Sequence, residues 1–318
     1  MNLKVILRSI IEIFSFPIAI LLSKRKRAII FLFHEVSDTP SQFAIDNDLY
    51  ISTEIFRKQV SWIKSYFNVV KPDQLLQENG RGASAMITFD DGSESIFKHA
   101  APILAEHKLF ATVFINMGPV KGELFWSGKI AYLFKYDTLF RKSVQKKYGK
   151  DAFLYCTQQD IDKWSQLHNE ANFEDKVKSY YGRFVSIEQL EESCERNIFL
   201  GNHLYNHFNA AAISEEELTI QYLKNVKTLS QFDNFVNIFS YPFGQPNTCY
   251  NKETDDLIKK LGTSMIFSAY PMFNQHSKLT KKMHRIAFNN NDNNIFRLFF
   301  RTFIRPLFNK YFHYFKYI

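Results

Sequence analysis

The sequence predicts an α/β fold in which parallel strands are gathered into a barrel. Apolar runs of strand length alternate with amphipathic helical patterns. Ala85–Phe89, the helical pattern from about Ile96 to His107, and the run Ala111–Ile115 read together as a βαβ unit. Three apolar runs stop abruptly at polar or turn residues, at Asp90-Asp91-Gly92, at Gly201-Asn202-His203 and at Tyr241-Pro242-Phe243-Gly244. A parallel barrel collects such strand ends at one mouth. At 318 residues the chain can bury a large single core, and length alone suits one barrel as well as two smaller domains. With 46% hydrophobic residues and 33 Phe, disorder is excluded.

Taken in order, residues 1–27 form an amphipathic segment. Lys4, Arg8 and Glu12 share one stripe and Ile6, Leu7, Ile10, Ile11 and Phe14 the other. The wholly apolar part, Ile13–Leu22, is about ten residues against the roughly 20 needed to span a bilayer. The favoured reading is a helix lying in the membrane plane, with an uncleaved signal anchor or a plain core helix as alternatives. Ala28–Phe33 is the first strand and ends at His34-Glu35, where a lone histidine is more often structural than a ligand. Thr53–Tyr66 is a capped helix, Asn68–Val70 a short strand, and Pro72 suits the first position of another helix. Residues from about 119 to 195 are charged, aromatic and helical in pattern, a helical insertion in which His168, Glu170 and Asp175 have no ligand-like spacing. A helix from Ser214 to Leu229, a strand Val236–Ser240, a helix Lys252–Leu261, a strand Ser264–Ser268 and a short strand Arg285–Phe288 complete the 28–288 region. Asn289-Asn290-Asn291 is a polar linker to a basic aromatic helix over 289–318, which Pro306 should kink. That helix reads as an interfacial element facing anionic lipids, or as one packed on the barrel or on a second subunit.

The net charge of +8 is carried at the two ends, about +5 in residues 1–27 and about +5 in 295–318, leaving the middle slightly acidic. A nucleic-acid enzyme would place basic charge around its site, so no nucleic-acid partner is expected. Cys156, Cys194 and Cys249 are widely spaced and odd in number, which fits a reducing compartment and excludes both a disulfide framework and a CxxC metal site.

Chemistry is concentrated in two stretches. Asp90 and Asp91 close a strand, and neighbouring carboxylates there suit two jobs, one holding a metal and the other moving protons. The same block also suits a strand-to-helix loop with Asp as N-cap and Gly92 as turn residue. His203 and His207, at i and i+4, would share one face of a helical turn and could grip one divalent ion, a modest signal by itself.

Together, Thr88-Phe89-Asp90-Asp91-Gly92, Gly201-Asn202-His203-Leu204-Tyr205-Asn206-His207 and Tyr241-Pro242-Phe243-Gly244 resemble, in order, the first three motifs of the polysaccharide deacetylases (carbohydrate esterase family 4). Phe33-His34-Glu35-Val36-Ser37 and the stretch 54–70 resemble the amino-terminal region of that family, so the resemblance covers about 28–288. It implies a distorted (β/α) barrel and metal-dependent removal of acetyl groups from N-acetylated sugars. It further implies Asp91, His203 and His207 as ligands of a divalent metal, zinc first, and Asp90 as catalytic base. Tyr241, Pro242 and Phe243 would line the substrate and oxyanion site, a backbone N–H near Tyr241 holding the oxyanion. Three positions depart from the family pattern. Leu204 stands where Ser or Thr is usual, so a loop hydrogen bond must come from elsewhere. Ser240 stands where an Arg usually orients the base, and Arg285 is the expected replacement. The late Leu-x-His motif is absent, leaving His284 or His276 as candidate general acids.

The expected activity is deacetylation of a surface polysaccharide, lipopolysaccharide or lipid-linked precursor, at the cytoplasmic face of the membrane. An O-acetyl esterase or other amide hydrolase using the same site, and a catalytically silent glycan-binding relative, are the alternatives.

Overall fold

A computed structural model describes residues 3–25, 27–75, 83–167, 172–275 and 282–311. His168, Glu170 and His276 lie outside the described residues.

The strands are β1 (Arg27–Phe33), β2 (Glu35–Val36), β3 (Tyr50–Ile51), β4 (Asn68–Val69), β5 (Ser84–Phe89), β6 (Ala111–Ile115), β7 (Ile198–Asn202), β8 (Phe235–Ser240), β9 (Ile266–Ser268), β10 (Asn274–Gln275), β11 (Lys282–His284) and β12 (Ile286–Ala287). Neighbours along β1-β5-β6-β7-β8-β9-β11 are parallel throughout. The last stretch then changes partner. Lys282–His284 pairs with β9, and one residue later Ile286–Ala287 pairs with β1, which closes the sheet on itself. Arg285 sits at the switch. The expected distorted (β/α) barrel is therefore present.

Side-chain alternation fills this barrel. Ile30, Met86, Phe114, Ile238, Phe267 and Met283 form its interior, while Ile29, Phe31, Ala85, Ile87 and Phe89 face outward against helices. Continuing each inward column by two residues gives Thr88 and Asp90 from β5, Ser240 from β8 and Arg285 after β11. The apolar plug thus changes to a polar layer at the mouth. Gly201 occupies an inward position of β7, where an added Cβ would sit 2.6 Å from the Phe114 ring.

The helix Thr53–Tyr66 starts at Ser52, whose side chain accepts from Ile55 N–H, and it buries Phe56, Val60, Trp62 and Ile63. Two helices widen into a π turn at the same distance before a proline, Ile96–Ala100 ahead of Pro102 and Phe300–Ile304 ahead of Pro306. Proline cannot donate to the carbonyl four residues back and its ring collides with it, so the turn opens rather than the helix ending. The described residues of 119–195 are mainly helical, with Trp126–Tyr136, Thr138–Tyr148 and Phe173–Tyr181 as main elements. No helix starts at Pro72 among the described residues, where 72–75 form turns.

Three expectations change at the chain ends. The first helix runs Leu3–Ser23 without a break at Pro17, and its window Ile6–Ser23 is long and apolar enough to cross a membrane by length and composition, contrary to the expectation of a segment too short to do so. Residues 289–294 are not a slack linker: Asp292 is fully buried, the Asn289 and Asp292 carbonyls accept from Gln59 Nε2, and Asn290 Oδ1 accepts from Ser52 N–H. The Phe-rich face of Ile295–Tyr311 is largely taken up by the barrel's helical shell. Phe299 and Phe303 are buried, Phe299 edge-on to Trp62 and Phe303 stacked on Phe67.

Gly201→Ala should lower the free energy of unfolding by about 1–3 kcal/mol, because the methyl group overpacks against Phe114. A urea midpoint unchanged by that substitution would contradict the packing described.

Candidate metal centre

Each side chain at the mouth is aimed by its local backbone. Asp90 continues β5, its N–H donating to Phe33 O at 3.1 Å. Alternation would send Asp91 outward, but it takes a left-handed conformation (φ 73°) and Gly92 follows at φ 92°, so both carboxylates turn into the mouth. His203 follows β7 just after a register shift between β7 and β8 at Leu200/Asn202, a bulge that re-aims the chain at the site. The stretch 203–207 is not helical, which corrects the expectation of two histidines on one helical turn. Leu204 (φ 60°) and His207 (φ 59°) are both left-handed, and this strained loop brings the rings to a centroid separation of 4.8 Å.

Asparagines hold the loop. Asn116 Nδ2 donates to the carbonyls of His203 and Leu204, Leu204 N–H donates to Asn202 Oδ1 at 2.9 Å, and Asn225 Nδ2 bonds Asn202 Oδ1 at 2.7 Å. This network supplies the loop hydrogen bonds that Leu204 cannot make with its own side chain.

Ligand atoms of Asp91, His203 and His207 lie within 4.8 Å of one another. His203 Nδ1 donates to Ser240 O at 2.8 Å, which leaves its Nε2 lone pair facing inward, and His207 Nδ1 pairs with Ser127 Oγ at 2.5 Å, which points its Nε2 at the same spot. Asp91 Oδ1 lies 3.1 Å from His207 Nε2 and 3.5 Å from His203 Nε2, yet it is shut off from solvent and accepts no hydrogen bond. Three converging ligand atoms fit a cation, and one carboxylate with two imidazoles is a common donor set for a divalent transition metal. Burial pushes the Asp91 carboxyl up, but His207 and His203 outweigh it and hold it well below the ordinary range.

Asp90 is held differently. Arg285, fully buried, grips it with two bonds, Nη1 to Oδ1 at 2.6 Å and Nη2 to Oδ2 at 2.7 Å. The same guanidinium donates to Ser240 Oγ at 2.7 Å and to Ser268 O at 3.1 Å. Burial raises the Asp90 carboxyl, and Arg285 followed by His203 brings it below its ordinary value. Ser240, where the family pattern has Arg, thus touches the guanidinium that occupies the expected replacement position.

A cavity of about 320 Å³ opens above the cluster, lined by His34, Asp90, Asp91, Ser127, Phe153, His203, His207 and Phe243 among others. His284 is not among the lining residues. Alternation turns it outward, onto Ser268 Oγ at 2.9 Å, and burial together with Lys282 pushes it down to about 4. It therefore neither reaches the cavity nor holds a proton at neutral pH, which corrects its assignment as general acid. His34, read as structural from sequence, is the further imidazole in the cavity, with Asp91 and Asp90 as its charged neighbours.

The turn after β8 is also redistributed. Tyr241 N–H donates to Phe267 O at 3.1 Å and its buried hydroxyl contacts Asp255 Oδ1 at 3.1 Å, so it supplies neither amide nor side chain to the cavity. Pro242 has no N–H, and Gly244 N–H is bonded to Pro242 O. Phe243 (φ 60°) lines the cavity with its ring 4.8 Å from that of His207.

A parallel barrel with an Asp/His/His cluster at the carboxyl ends of its strands places a candidate metal site where parallel barrels carry their functional residues. The chain belongs to the polysaccharide deacetylase family, whose sequence model matches residues 77–133. It is 36% identical over 223 residues to a poly-beta-1,6-N-acetyl-D-glucosamine N-deacetylase of Staphylococcus aureus strain MRSA252, covering 69% of this chain and 60% of that protein. The chain thus spans about 60% of the length of the curated relatives it matches. The fold is shared with IcaB from Ammonifex degensii (TM-score 0.58, 15% identity, 88% of this chain and 98% of that one). It is shared too with the deacetylase PplD of Streptococcus pyogenes in complex with acetate (TM-score 0.56, 14% identity, 83% and 93%).

Replacing Arg285 with Leu strands a buried carboxylate, and stability should fall by about 3–5 kcal/mol at neutral pH. Asp90 is depressed in the folded wild type, so its contribution is present above its unfolded value and is lost as pH falls through the folded value. In Arg285→Leu burial alone acts on the carboxyl and raises it, so falling pH should relieve the penalty and the stability gap between the two proteins should narrow toward acid pH. Overlapping stability–pH curves for the two proteins would contradict the assignment.

Proposed function

We propose that the protein is a metal-dependent hydrolase that removes acetyl groups from N-acetylated sugars of a surface polysaccharide or a lipid-linked precursor. The observation that carries this reading is the orphaned Asp91 Oδ1 between two inward-facing imidazoles, beside a second carboxylate held ionised by a guanidinium. The S. aureus relative, by its name an N-deacetylase of a poly-N-acetylglucosamine, supports the substrate class.

Asp91, His203 and His207 would hold the cation, with zinc the best match to the donor set. A bound divalent cation supplies Lewis acidity, polarising the acetamido carbonyl and making water more acidic. Asp90 takes the proton of the water that attacks the carbonyl carbon, and Arg285 keeps it ionised and aimed. The Ser240 carbonyl fixes the His203 tautomer, and Ser127 Oγ holds the His207 ring in place. Phe243 N–H, the remaining amide of the 241–244 turn, is assigned to the carbonyl oxygen as negative charge builds there. The C–N bond then breaks, and His34, the further imidazole lining the cavity, is assigned to pass a proton to the departing amine; burial holds it below its ordinary value, and the charges of Asp91 and Asp90 offset this only in part. Acetate and a free amino sugar result.

Acetate release from N-acetylglucosamine oligomers, with zinc supplied, tests the reading. Asp90→Asn should keep zinc affinity by calorimetry and lose roughly 10²–10⁴ in kcat. Asp91→Ala should lose both. If Asp91→Ala retains zinc and turnover, the assignment is wrong.

His34→Ala should slow hydrolysis of an N-acetyl sugar far more than that of an activated acetyl ester, whose leaving group needs no proton. Equal slowing of both would remove His34 from the role of acid.

A further inference from the structure

The N-terminal helix shows an apolar stripe to solvent. Leu7, Ile10, Ile11, Phe14, Ile18 and Leu21 recur at helical spacing on one stripe and are all exposed, Phe14 by 79%. Only 17% of the apolar window is buried. The opposite face carries a carboxylate inward. Glu12 is 6% exposed and paired with Arg8 at 3.1 Å and with Arg297 of the C-terminal helix, while the Phe16 ring meets Phe296 at 4.8 Å and Phe299 at 5.2 Å. The packed face is itself largely apolar, with Ala19 and Leu22 buried beside Phe16, so the helix is apolar on both sides and leaves one of them to water, unlike an ordinary soluble surface helix.

Beside this stripe, between the two terminal helices, is a cavity of about 260 Å³ lined by Arg8, Ile11, Arg297, Phe300, Arg301 and Arg305 among others. Glu12 and Asp292 are the carboxylates paired with these arginines: Arg8 and Arg297 share Glu12, and Arg297 and Arg301 share Asp292. Four guanidiniums against two carboxylates leave a net +2. Arg305 has no acidic partner among the described residues, and Arg301 Nε is buried without a hydrogen bond.

We propose that the two terminal helices form one membrane-docking unit. The exposed stripe of Leu3–Ser23 lies in the acyl boundary of a bilayer, and the phosphate of an anionic phospholipid headgroup seats in the arginine-lined cavity at its edge. An apolar stripe beside a cationic cavity matches the two parts of such a lipid. A spanning orientation would pull Glu12 off Arg297 and Phe16 off its aromatic partners. A symmetric dimer through this face would bring two net-positive clusters together. The proposal does not depend on the catalytic reading.

The test is flotation of the full chain with vesicles of phosphatidylcholine alone and of phosphatidylcholine doped with phosphatidylglycerol. Phosphatidylglycerol should strengthen binding at least about tenfold. Arg305→Glu should weaken binding to the doped vesicles by roughly thirtyfold and leave binding to phosphatidylcholine unchanged. Phe14→Ser with Leu21→Ser should abolish both. Acetate release from a soluble substrate should stay at the wild-type level in every variant, which separates failure here from failure at the barrel mouth. Equal binding to both vesicle types, unchanged binding by the Phe14/Leu21 variant, displacement by inorganic phosphate at constant ionic strength, resistance to alkaline carbonate extraction, or a lipid-free dimer that Phe14→Ser dissociates would each overturn the proposal.

Discussion

The buried pair between Asp90 and Arg285 is the interaction on which the rest of this structure depends. A carboxylate this deep would be neutralised by burial alone, and a guanidinium with no exposed surface would be stranded without it. The two arrive from the first parallel pairing of the barrel and from its last, so the pair ties the chemistry to closure of the sheet. β11 and β12 are only three and two residues long, and the residue between them contributes five hydrogen bonds through its guanidinium, to Asp90, Thr88, Ser240 and Ser268. Closure by such short strands is held as much by this polar layer as by backbone pairing.

The carboxylates beside each other in sequence are kept in different states by different neighbours. Asp90 has its charge matched by hydrogen-bond donors. Asp91 faces two imidazoles whose far nitrogens are held by Ser240 O and Ser127 Oγ. One backbone rotation at Asp91 makes the difference: alternation would have separated the two, and a left-handed residue overrides it.

What could be read in the sequence was what is local. Apolar runs such as Ala111–Ile115 and capped helices such as Thr53–Tyr66 are set by periodicity and by their own end residues, and they stand where expected. Arg285 was legible because its column is inward by alternation from Met283, and the same rule, applied to His284, would have turned that residue outward. Left-handed Leu204 and His207 were not legible, since nothing in their side chains favours that conformation and a network of Asn116, Asn202 and Asn225 holds the loop across long sequence distances. The outward apolar face of the first helix was hidden for a related reason. Its pattern is that of any amphipathic helix, and only the distant partner Arg297 shows which face is inside.

Ser127 lies in the first long helix of the segment between β6 and β7, 80 positions before the ring it steadies. That segment also contributes Phe153 to the wall of the cavity. It is therefore no detachable ornament on an otherwise self-sufficient barrel. A trimmed version joined directly from β6 to β7 could retain its sheet and yet leave the His207 ring free to turn, a correctly shaped vessel with one of its fixings loose.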